Sequence, residues 1–253
     1  MTELETATAP ERDRALDLLK WLAMLSMVMD HLRYVGWHAD WLYVPGRLAF
    51  PWFCLAIAVN VVRSGRREVE PSVKWKYLTW LAVFAVVAEL PYRIYMAGEV
   101  TTLNVLPTLA LGLLVAQGGL SRSWAARLLG IGALAIGVLF GPQLMFGMYG
   151  VLLPLAFVLV LSTSIWLAIV PGIVCLLSNE WPKIIDGMLW GDPISIGAFA
   201  ACLLAPLVGL AVLRCRPAFG VWPMRRWAYL IYPVHFLVLR CVYMWVFADQ
   251  LQT

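Results

Sequence analysis

The sequence predicts an all-α integral membrane protein, a polytopic bundle of about nine transmembrane helices. Its 253 residues are 62% hydrophobic and only 13% charged, and the mean hydropathy is +0.80. Soluble domains contain about one quarter charged residues, so this composition excludes an ordinary soluble fold. The chain contains a series of apolar segments whose lengths approach the ~20 residues that a spanning helix needs. Loops rich in basic residues alternate with loops that have few of them.

The apolar segments follow one another with short polar breaks. They cover residues 15–35, 47–62, 77–97, 103–117, 124–140, 148–162, 163–178, 194–213 and 229–247. The least distinct polar break lies inside 148–178. If this region formed one long span instead of two, the C-terminus would lie on the other side of the membrane. Residues 1–14 are polar and lack signal-peptide features, so we expect a flexible cytoplasmic tail followed by one domain over 15–253.

Basic residues concentrate in three of the loops and predict the topology. They are Arg63, Arg66, Arg67, Lys74 and Lys76 in the second loop, Arg122 and Arg127 around the fourth, and Arg214, Arg216, Arg225 and Arg226 in the eighth. With nine spans these loops share one side, which the positive-inside rule assigns to the cytoplasm. The N-terminus is then inside and the C-terminus outside. The net charge of +4 is too small to indicate a nucleic-acid partner, and the five scattered cysteines indicate no metal site.

The first span carries ionisable residues on one side. An arc of about 80° contains Asp17, Lys20, Met24, Met27 and His31, and Asp30 points about 100° away from His31. An ionisable side chain in hydrocarbon costs from about 2.5 to more than 10 kcal/mol, so it usually lines a cavity or has a partner. Lys20 and His31 are about 16 Å apart along the axis, so they would mark two ends of an elongated ligand.

Further polar residues are predicted to join Asp30 and His31 in the outer half. They are Arg33 near the end of the first span, Arg47 at the start of the second, Glu89 and Arg93 late in the third, and Asn104 at the start of the fourth. We expect Asp30 and Arg47 to pair across the helix interface and hold His31 in place, because their predicted depths agree. Charge reversal at both positions should then restore the protein better than either single change. The alternative for Arg33, Arg47 and Asn104 is snorkelling into the lipid headgroups.

The last span holds a second candidate histidine. Its sequence YLIYPVHFLVLR contains Tyr232, Pro233, His235 and Arg240, and a proline in a span frees a backbone carbonyl that a neighbour or a cavity must satisfy. Counting from the two predicted span starts places His235 about 9 Å deep and His31 about 24 Å deep. The two histidines can act on one substrate atom only if the span limits or the straightness of the helices are wrong.

Five short motifs, in order along the chain, resemble the TraX family, whose namesake acetylates F-pilin in conjugative plasmids. They are LDLLKWLAMLSMVMDH, GRLAFPWF, LNVLPTLALGLL, YGVLLPLAFVL and YLIYPVHFLVL, between residues 16 and 240. The first span also resembles the wider acyltransferase-3 group of membrane acyltransferases, in which ten residues separate an arginine from a catalytic histidine. Lys20 and His31 keep that spacing, although lysine lacks the bidentate geometry of arginine.

The resemblance implies acetyl transfer from acetyl-CoA to an amine, for the namesake the N-terminal amine of a pilin subunit, in the bacterial inner membrane. His31 would be the general base that takes the proton of the amine, with Asp30 and His235 as further catalytic residues. Acetyl-CoA would be bound by Lys20, Asp17, Arg63, Arg66, Arg67 and Tyr232. The thioester oxyanion would be stabilised by Asn104 or Arg93. The polar surroundings would be completed by Arg47, Glu89 and Arg240.

Two alternatives remain open from the sequence. An acyltransferase of the wider group would use a hydroxyl of a glycan or lipid as acceptor. A non-enzymatic membrane subunit or small-solute transporter of a conjugation system would also need polar residues in its spans, although inverted repeats typical of transporters are not visible. The expected partners are a pilin subunit, the lipid bilayer and other pilus-assembly membrane proteins, and no metal is expected.

Overall fold

The computed structural model describes residues 13–35, 39–67, 73–97, 100–224 and 226–247. These residues form helices and contain no strand. The α-helices are α1 (Arg14–Leu32), α2 (Tyr43–Gly46), α3 (Ala49–Arg67), α4 (Trp75–Tyr95), α5 (Val105–Leu120), α6 (Trp124–Leu139), α7 (Gly147–Ser162), α8 (Ile169–Ser178), α9 (Trp181–Leu189), α10 (Pro193–Arg214) and α11 (Ile231–Val246). Short 3₁₀ helices cover Arg33–Val35, Asp40–Leu42, Gly141–Gln143, Ile165–Ala168 and Arg226–Leu230. The expected tail lies, up to residue 12, outside the described residues.

Each predicted apolar segment coincides with a helix, but nine spans are not confirmed. Within the described part of the chain, four helical units are long and apolar enough to cross a membrane, namely Asp40–Arg66, Trp75–Tyr95, Pro193–Arg214 and Trp227–Val246. A fifth would be the pair Ile165–Ser178 and Trp181–Leu189, which bends by 94°. The count is lower because α5, α6 and α7 have 16 residues each, about 24 Å against a hydrocarbon core of about 30 Å. Helix α1 is long enough with 19 residues, but it carries Asp17, Lys20 and Asp30 and is not among the apolar units. The predicted topology depends on the count and stays a prediction.

The uncertain region 148–178 consists of two helices. Helix α7 ends at Ser162, and Ser164 then caps the next 3₁₀ helix, its side chain accepting from the Trp166 N–H at 3.4 Å. Two helices instead of one therefore cover this region, whereas the expected two membrane spans are not confirmed. The second of them is short, however, and turns sharply into α9 after Asn179.

Side-chain caps explain where several helices begin. Asp13 accepts from the backbone N–H of Leu16 at 2.9 Å and starts α1. Asn104 does the same for α5 through Leu106 at 3.0 Å, and Asp192 caps α10 by accepting from Ser195 N–H at 2.9 Å. Asx side chains at these positions satisfy backbone donors that a helix cannot pair internally.

The centre of the bundle is α3. It packs against α1, α5, α7 and α10, and its residues Cys54, Leu55 and Ala58 have no exposed surface. The indole N–H of Trp52 donates to the Ala205 carbonyl of α10 at 2.9 Å. The central turns of α3 are therefore enclosed by other helices.

The outer helices present apolar side chains to the surroundings. On α6, Leu128, Ile131 and Leu139 are 62%, 63% and 73% exposed, and on α4, Val86 is 78% exposed. Apolar exposure of this extent over whole helix faces is typical of a surface that contacts lipid tails. The chain is therefore a membrane protein.

The segment that leads into α11 runs alongside α1 in the same direction. The Trp21 indole N–H of α1 donates to the Trp222 carbonyl at 3.0 Å, and the rings of Trp21 and Trp227 are 5.9 Å apart. Further along both segments, His31 meets His235. The depth difference expected from the sequence is therefore wrong, because the last segment begins beside Trp21 and not beside the start of α1.

Candidate active site

Two histidines from distant parts of the chain meet edge to edge. His31 Nδ1 and His235 Nε2 are 2.9 Å apart, whereas the ring centroids are 5.0 Å apart and the ring planes differ by 23°. Stacked rings would bring their centroids as close as their nitrogens, so this contact is an in-plane hydrogen bond. His31 is half-buried and His235 is 7% exposed.

Helix geometry explains why the two histidines lie at the same depth, although His31 follows Trp21 by ten positions and His235 follows Trp227 by only eight. From Trp21 to His31 the α-helix rises about 15 Å at 1.5 Å per residue. From Trp227 to His235 there are two residues fewer, but the segment Arg226–Leu230 is a 3₁₀ helix, which rises about 2 Å per residue and gives about 13–14 Å in total. The 3₁₀ start of the last span thus brings His235 to His31.

Aromatic side chains enclose the histidine pair. The Phe236 ring is fully buried and lies 5.0 Å from the His31 ring. The Tyr95 hydroxyl donates to the His31 carbonyl, and the Tyr95 ring lies 5.9 Å from the imidazole in an edge-on arrangement. These contacts fix both the backbone and the ring of His31. Tyr95 and Phe236 were not singled out by sequence, since aromatic residues in a span are common.

The expected pair of Asp30 and Arg47 is present. One terminal nitrogen of Arg47 lies 2.9 Å from Oδ1 and 3.0 Å from Oδ2 of Asp30. Arg33 Nε approaches the same Oδ1 at 3.2 Å without hydrogen-bond geometry. Both guanidinium groups also lie over the Tyr43 ring, at 4.1 Å for Arg47 and 4.8 Å for Arg33. One carboxylate therefore faces two guanidinium groups, and the cluster keeps an excess of positive charge.

Arg47 is anchored on its other side by the break between α8 and α9. A second terminal nitrogen donates to Asn179 Oδ1 at 2.5 Å, and the Asn179 amide donates to the Cys175 carbonyl at 2.7 Å. Asn179 is 4% exposed. A polar residue directly after an apolar helix was the available signal for Asn179, but the sequence does not tell which helix it faces.

A cavity of about 380 Å³ lies between α1, α3, α4, α5 and the segment that leads into α11. Its polar lining consists of Lys20, Asn60, Tyr77, Tyr229 and Tyr232. The remaining lining is apolar and includes Met24 and Met27. The predicted polar arc of α1 thus faces this cavity over Lys20, Met24 and Met27.

The histidine pair stands one helical turn beyond the cavity. Met27 precedes His31 by four residues and Tyr232 precedes His235 by three, and both Met27 and Tyr232 line the cavity. The Tyr232 and His235 rings are 5.6 Å apart. The cavity therefore extends along α1 from Lys20 towards the two imidazoles.

Three polar cavity residues form a hydrogen-bonded row that sequence analysis missed. Tyr77 hydrogen-bonds both Asn60 and Tyr229. Nearer the histidines, the Tyr232 hydroxyl accepts from the Val105 N–H at 3.3 Å, at the first turn of α5. An asparagine within the apolar run of α3 was the available signal for this row.

Glu89 and Asn104 connect α4 to the start of α5. Glu89 Oε2 accepts from Asn104 Nδ2 at 2.7 Å and from its backbone N–H at 3.1 Å, and Oε1 accepts from Arg93 Nε at 2.7 Å. Asn104 Nδ2 also donates to the Ala85 carbonyl at 2.8 Å. Asn104 has no exposed surface, so a role at an oxyanion would require these bonds to break.

The remaining predicted site residues lie away from the histidines. Lys20 Nζ is 3.7 Å from Asp17 Oδ1, and Asp17 is 8% exposed. Arg63 pairs with Asp13; burial raises the pKa of Asp13, but the Leu16 N–H and the Arg63 guanidinium together hold it below its usual value. Arg66 is exposed, Arg67 ends α3 with its side chain outside the described residues, and Arg240 lies over the Tyr243 ring at 5.1 Å.

Comparison with known protein families identifies the chain. Residues 15–243, which include the polar face of α1 and almost all of α11, match the family described as TraX protein. The chain belongs to the TraX family. Among curated proteins and among solved structures, nothing matches the chain.

Membership in the TraX family confirms the resemblance that the five motifs indicated and indicates a conjugation-related function. The family is associated with pilin acetylation. The resemblance of the Lys20–His31 spacing to the acyltransferase-3 group is not shown by these matches and stays an expectation.

Proposed function

We propose that this protein is a membrane-embedded acetyltransferase, which moves an acetyl group from acetyl-CoA to the N-terminal amine of a conjugative pilin subunit. The single observation that carries the proposal is the cavity along α1, which extends from Lys20 towards the hydrogen-bonded pair of His31 and His235. Family membership supports the conjugation setting. The proposed location is the bacterial inner membrane.

The cavity suits an extended thioester arm. Its volume of about 380 Å³ is within the range of small-molecule sites, about 300–1,000 Å³. A pantetheine arm has amide groups along an otherwise apolar chain, and the row of Asn60, Tyr77 and Tyr229 provides hydrogen-bonding groups against an apolar wall. Lys20 would attract the CoA phosphates at one end, and the acetyl group would lie near Tyr232 at the other.

His31 would act as general base at the end of that path opposite to Lys20. The lone pair of the acceptor amine attacks the thioester carbonyl carbon, and the amine proton passes to the imidazole. The tetrahedral intermediate collapses as the carbon–sulfur bond breaks, and the CoA sulfur leaves as a thiol after taking up that proton. The products are the acetylated N-terminus and free CoA, and His31 returns to its neutral form.

The predicted topology gives a reason for placing this chemistry in a membrane. CoA is cytoplasmic, whereas the N-terminus of an exported pilin faces outward. Lys20 lies towards the cytoplasmic end of α1 under the positive-inside prediction, and His31 lies about 16 Å further along the helix. Donor and acceptor would then reach the same imidazole from opposite sides.

The test is intact-mass analysis of pilin that is produced with and without this protein. We expect one added acetyl group with the natural protein and none with His31→Ala at equal expression. Val234→Ala is the matched control, because Val234 adjoins His235 but is 50% exposed, and it should acetylate normally. An active His31→Ala protein would overturn the role of the imidazole.

Two further measurements, analysis of glycans and lipids for acetylation and binding of acetyl-CoA by the purified protein, separate the alternatives. If pilin is unmodified but a glycan or lipid is acetylated, the proposed activity is wrong and the protein is an O-acyltransferase. Failure of the purified protein to bind acetyl-CoA at all would overturn the enzyme proposal in favour of a non-enzymatic subunit or transporter.

A further inference from the structure

Two hydrogen bonds in series connect His31 to the backbone of α11. His31 Nδ1 faces His235 Nε2 at 2.9 Å, and His235 Nδ1 faces the Ile231 carbonyl oxygen at 3.2 Å. His235 is 7% exposed, so these contacts are shielded from water that could replace them.

The carbonyl at the end of the series determines where the protons lie. A carbonyl oxygen only accepts, so His235 Nδ1 carries the hydrogen that it donates to Ile231. In a neutral imidazole the other nitrogen is then an acceptor, which makes His235 Nε2 the acceptor for His31. His31 Nδ1 must therefore carry the hydrogen, and Nε2 of neutral His31 keeps its lone pair.

From this geometry we infer that His235 is a positioning residue, which holds His31 in the Nδ1–H tautomer and thereby makes His31 Nε2 the basic nitrogen. His235 itself does not take the substrate proton. When Nε2 accepts that proton, His31 becomes an imidazolium and keeps donating through Nδ1 to His235, so no second transfer is needed. The base assignment rests on the proposed function, but the tautomer does not.

The tautomer is unusual enough to be diagnostic. A histidine with no partner prefers the hydrogen on Nε2, so removal of the acceptor at His235 should return His31 to that form. Substitution by glutamine, His235→Gln, keeps an oxygen acceptor near the position of Nε2. Substitution by leucine, His235→Leu, fills similar space and removes the acceptor.

The direct test is nitrogen-15 magnetic resonance of histidine-labelled full-length protein. The chain has three histidines, and His38→Gln removes the third signal and leaves the two of interest. We expect His31 with a protonated Nδ1 and a bare Nε2 in the natural protein and in His235→Gln, and the opposite tautomer in His235→Leu. A protonated Nε2 on neutral His31 in the natural protein overturns the inference without reference to any activity.

Kinetics provide the second readout. His235→Leu should lower kcat for pilin acetylation by about 100-fold, the usual contribution of a correctly protonated base, with the KM for acetyl-CoA unchanged. His235→Gln should stay within about tenfold of the natural protein, as expected when an orienting partner is conserved in function. Equal losses in both variants would overturn the positioning role. If the tautomers follow the prediction but no protein acetylates pilin, the proposed function fails and the tautomer assignment stands.

Discussion

Truncation of the Asp30–Arg47 pair is the sharpest test of the predicted outer polar cluster. Both carboxylate oxygens of Asp30 lie within 3.0 Å of one Arg47 nitrogen, and the two side chains are 17% and 10% exposed. Removal of one partner from a buried ion pair costs about 3–5 kcal/mol, because it leaves the other charge uncompensated. We therefore expect Asp30→Ala to lower the free energy of unfolding by about this amount.

The two single truncations should differ. Asp30→Ala removes the carboxylate that faces both Arg33 and Arg47. Arg47→Ala leaves Asp30 with Arg33, 3.2 Å away, so the loss should be smaller, about 1–3 kcal/mol. The double variant should lose less than the sum of the two, with a coupling energy of about 1–3 kcal/mol.

The measurement is the free energy of unfolding of the four proteins in mixed detergent micelles, followed by tryptophan fluorescence during titration with a denaturing detergent. Lys183→Ala is the control, because Lys183 forms an exposed ion pair with Glu180 and its removal should change nothing measurable. A coupling energy of zero, or a larger loss for Arg47→Ala than for Asp30→Ala, would refute the assignment of Asp30 as the shared counter-ion.

Charge reversal at both positions, which the sequence suggested as a test, is less informative in this structure. An arginine at position 30 would approach Arg33, whose Nε lies 3.2 Å from Oδ1 of the natural Asp30. It would also meet Gly46, whose backbone lies so close to Asp30 that even a Cβ there would collide with the side chain. Failure of the reversed pair would therefore reflect crowding, whereas the truncation cycle measures the interaction.

Three other predictions concern the cavity and its supports. Lys20→Ala should raise the KM for acetyl-CoA at least about tenfold with a smaller change in kcat, measured with pilin as acceptor, and an unchanged KM would contradict phosphate binding. Met27→Trp should fill the cavity beside the histidines and abolish acetyl-CoA binding in calorimetry, whereas Leu25→Trp, on the 57% exposed side of the same helix, should bind normally; equal binding by both would exclude the cavity as the donor site. Asn104→Ala removes the α5 cap and leaves Glu89 with fewer donors, so it should lower the free energy of unfolding by about 1–3 kcal/mol in the same detergent titration, and no loss would contradict its structural role.

Polar residues within apolar runs predicted two structural features, the cavity face of α1 and one ion pair. The face of α1 that includes Lys20 and Met27 lines the cavity, and Asp30 does pair with Arg47. These predictions succeed because an ionisable group in a span must find a partner or a cavity. The same rule, applied to uncharged polar residues, would have pointed to Asn60 and Asn179.

The number of spans was harder to predict from the sequence. Apolar runs identify the helices, since helix periodicity and hydropathy are local properties. Whether a helix reaches across a bilayer depends on its true ends, and these are decided by breaks such as the one at Ser164 and the 94° turn between α8 and α9. Such breaks depend on packing against the rest of the bundle.

The amino-acid sequence by itself determined that the chain is helical and membrane-embedded, which face of α1 is polar, and that the motifs are those of the TraX family. Only the tertiary structure decided that His235 reaches His31. That contact joins residues 204 positions apart and depends on where the last segment starts beside Trp21 and on the steeper rise of its 3₁₀ turn. Local patterns record which residues need partners, whereas the relative depth of two helices is set by the packing of the whole bundle.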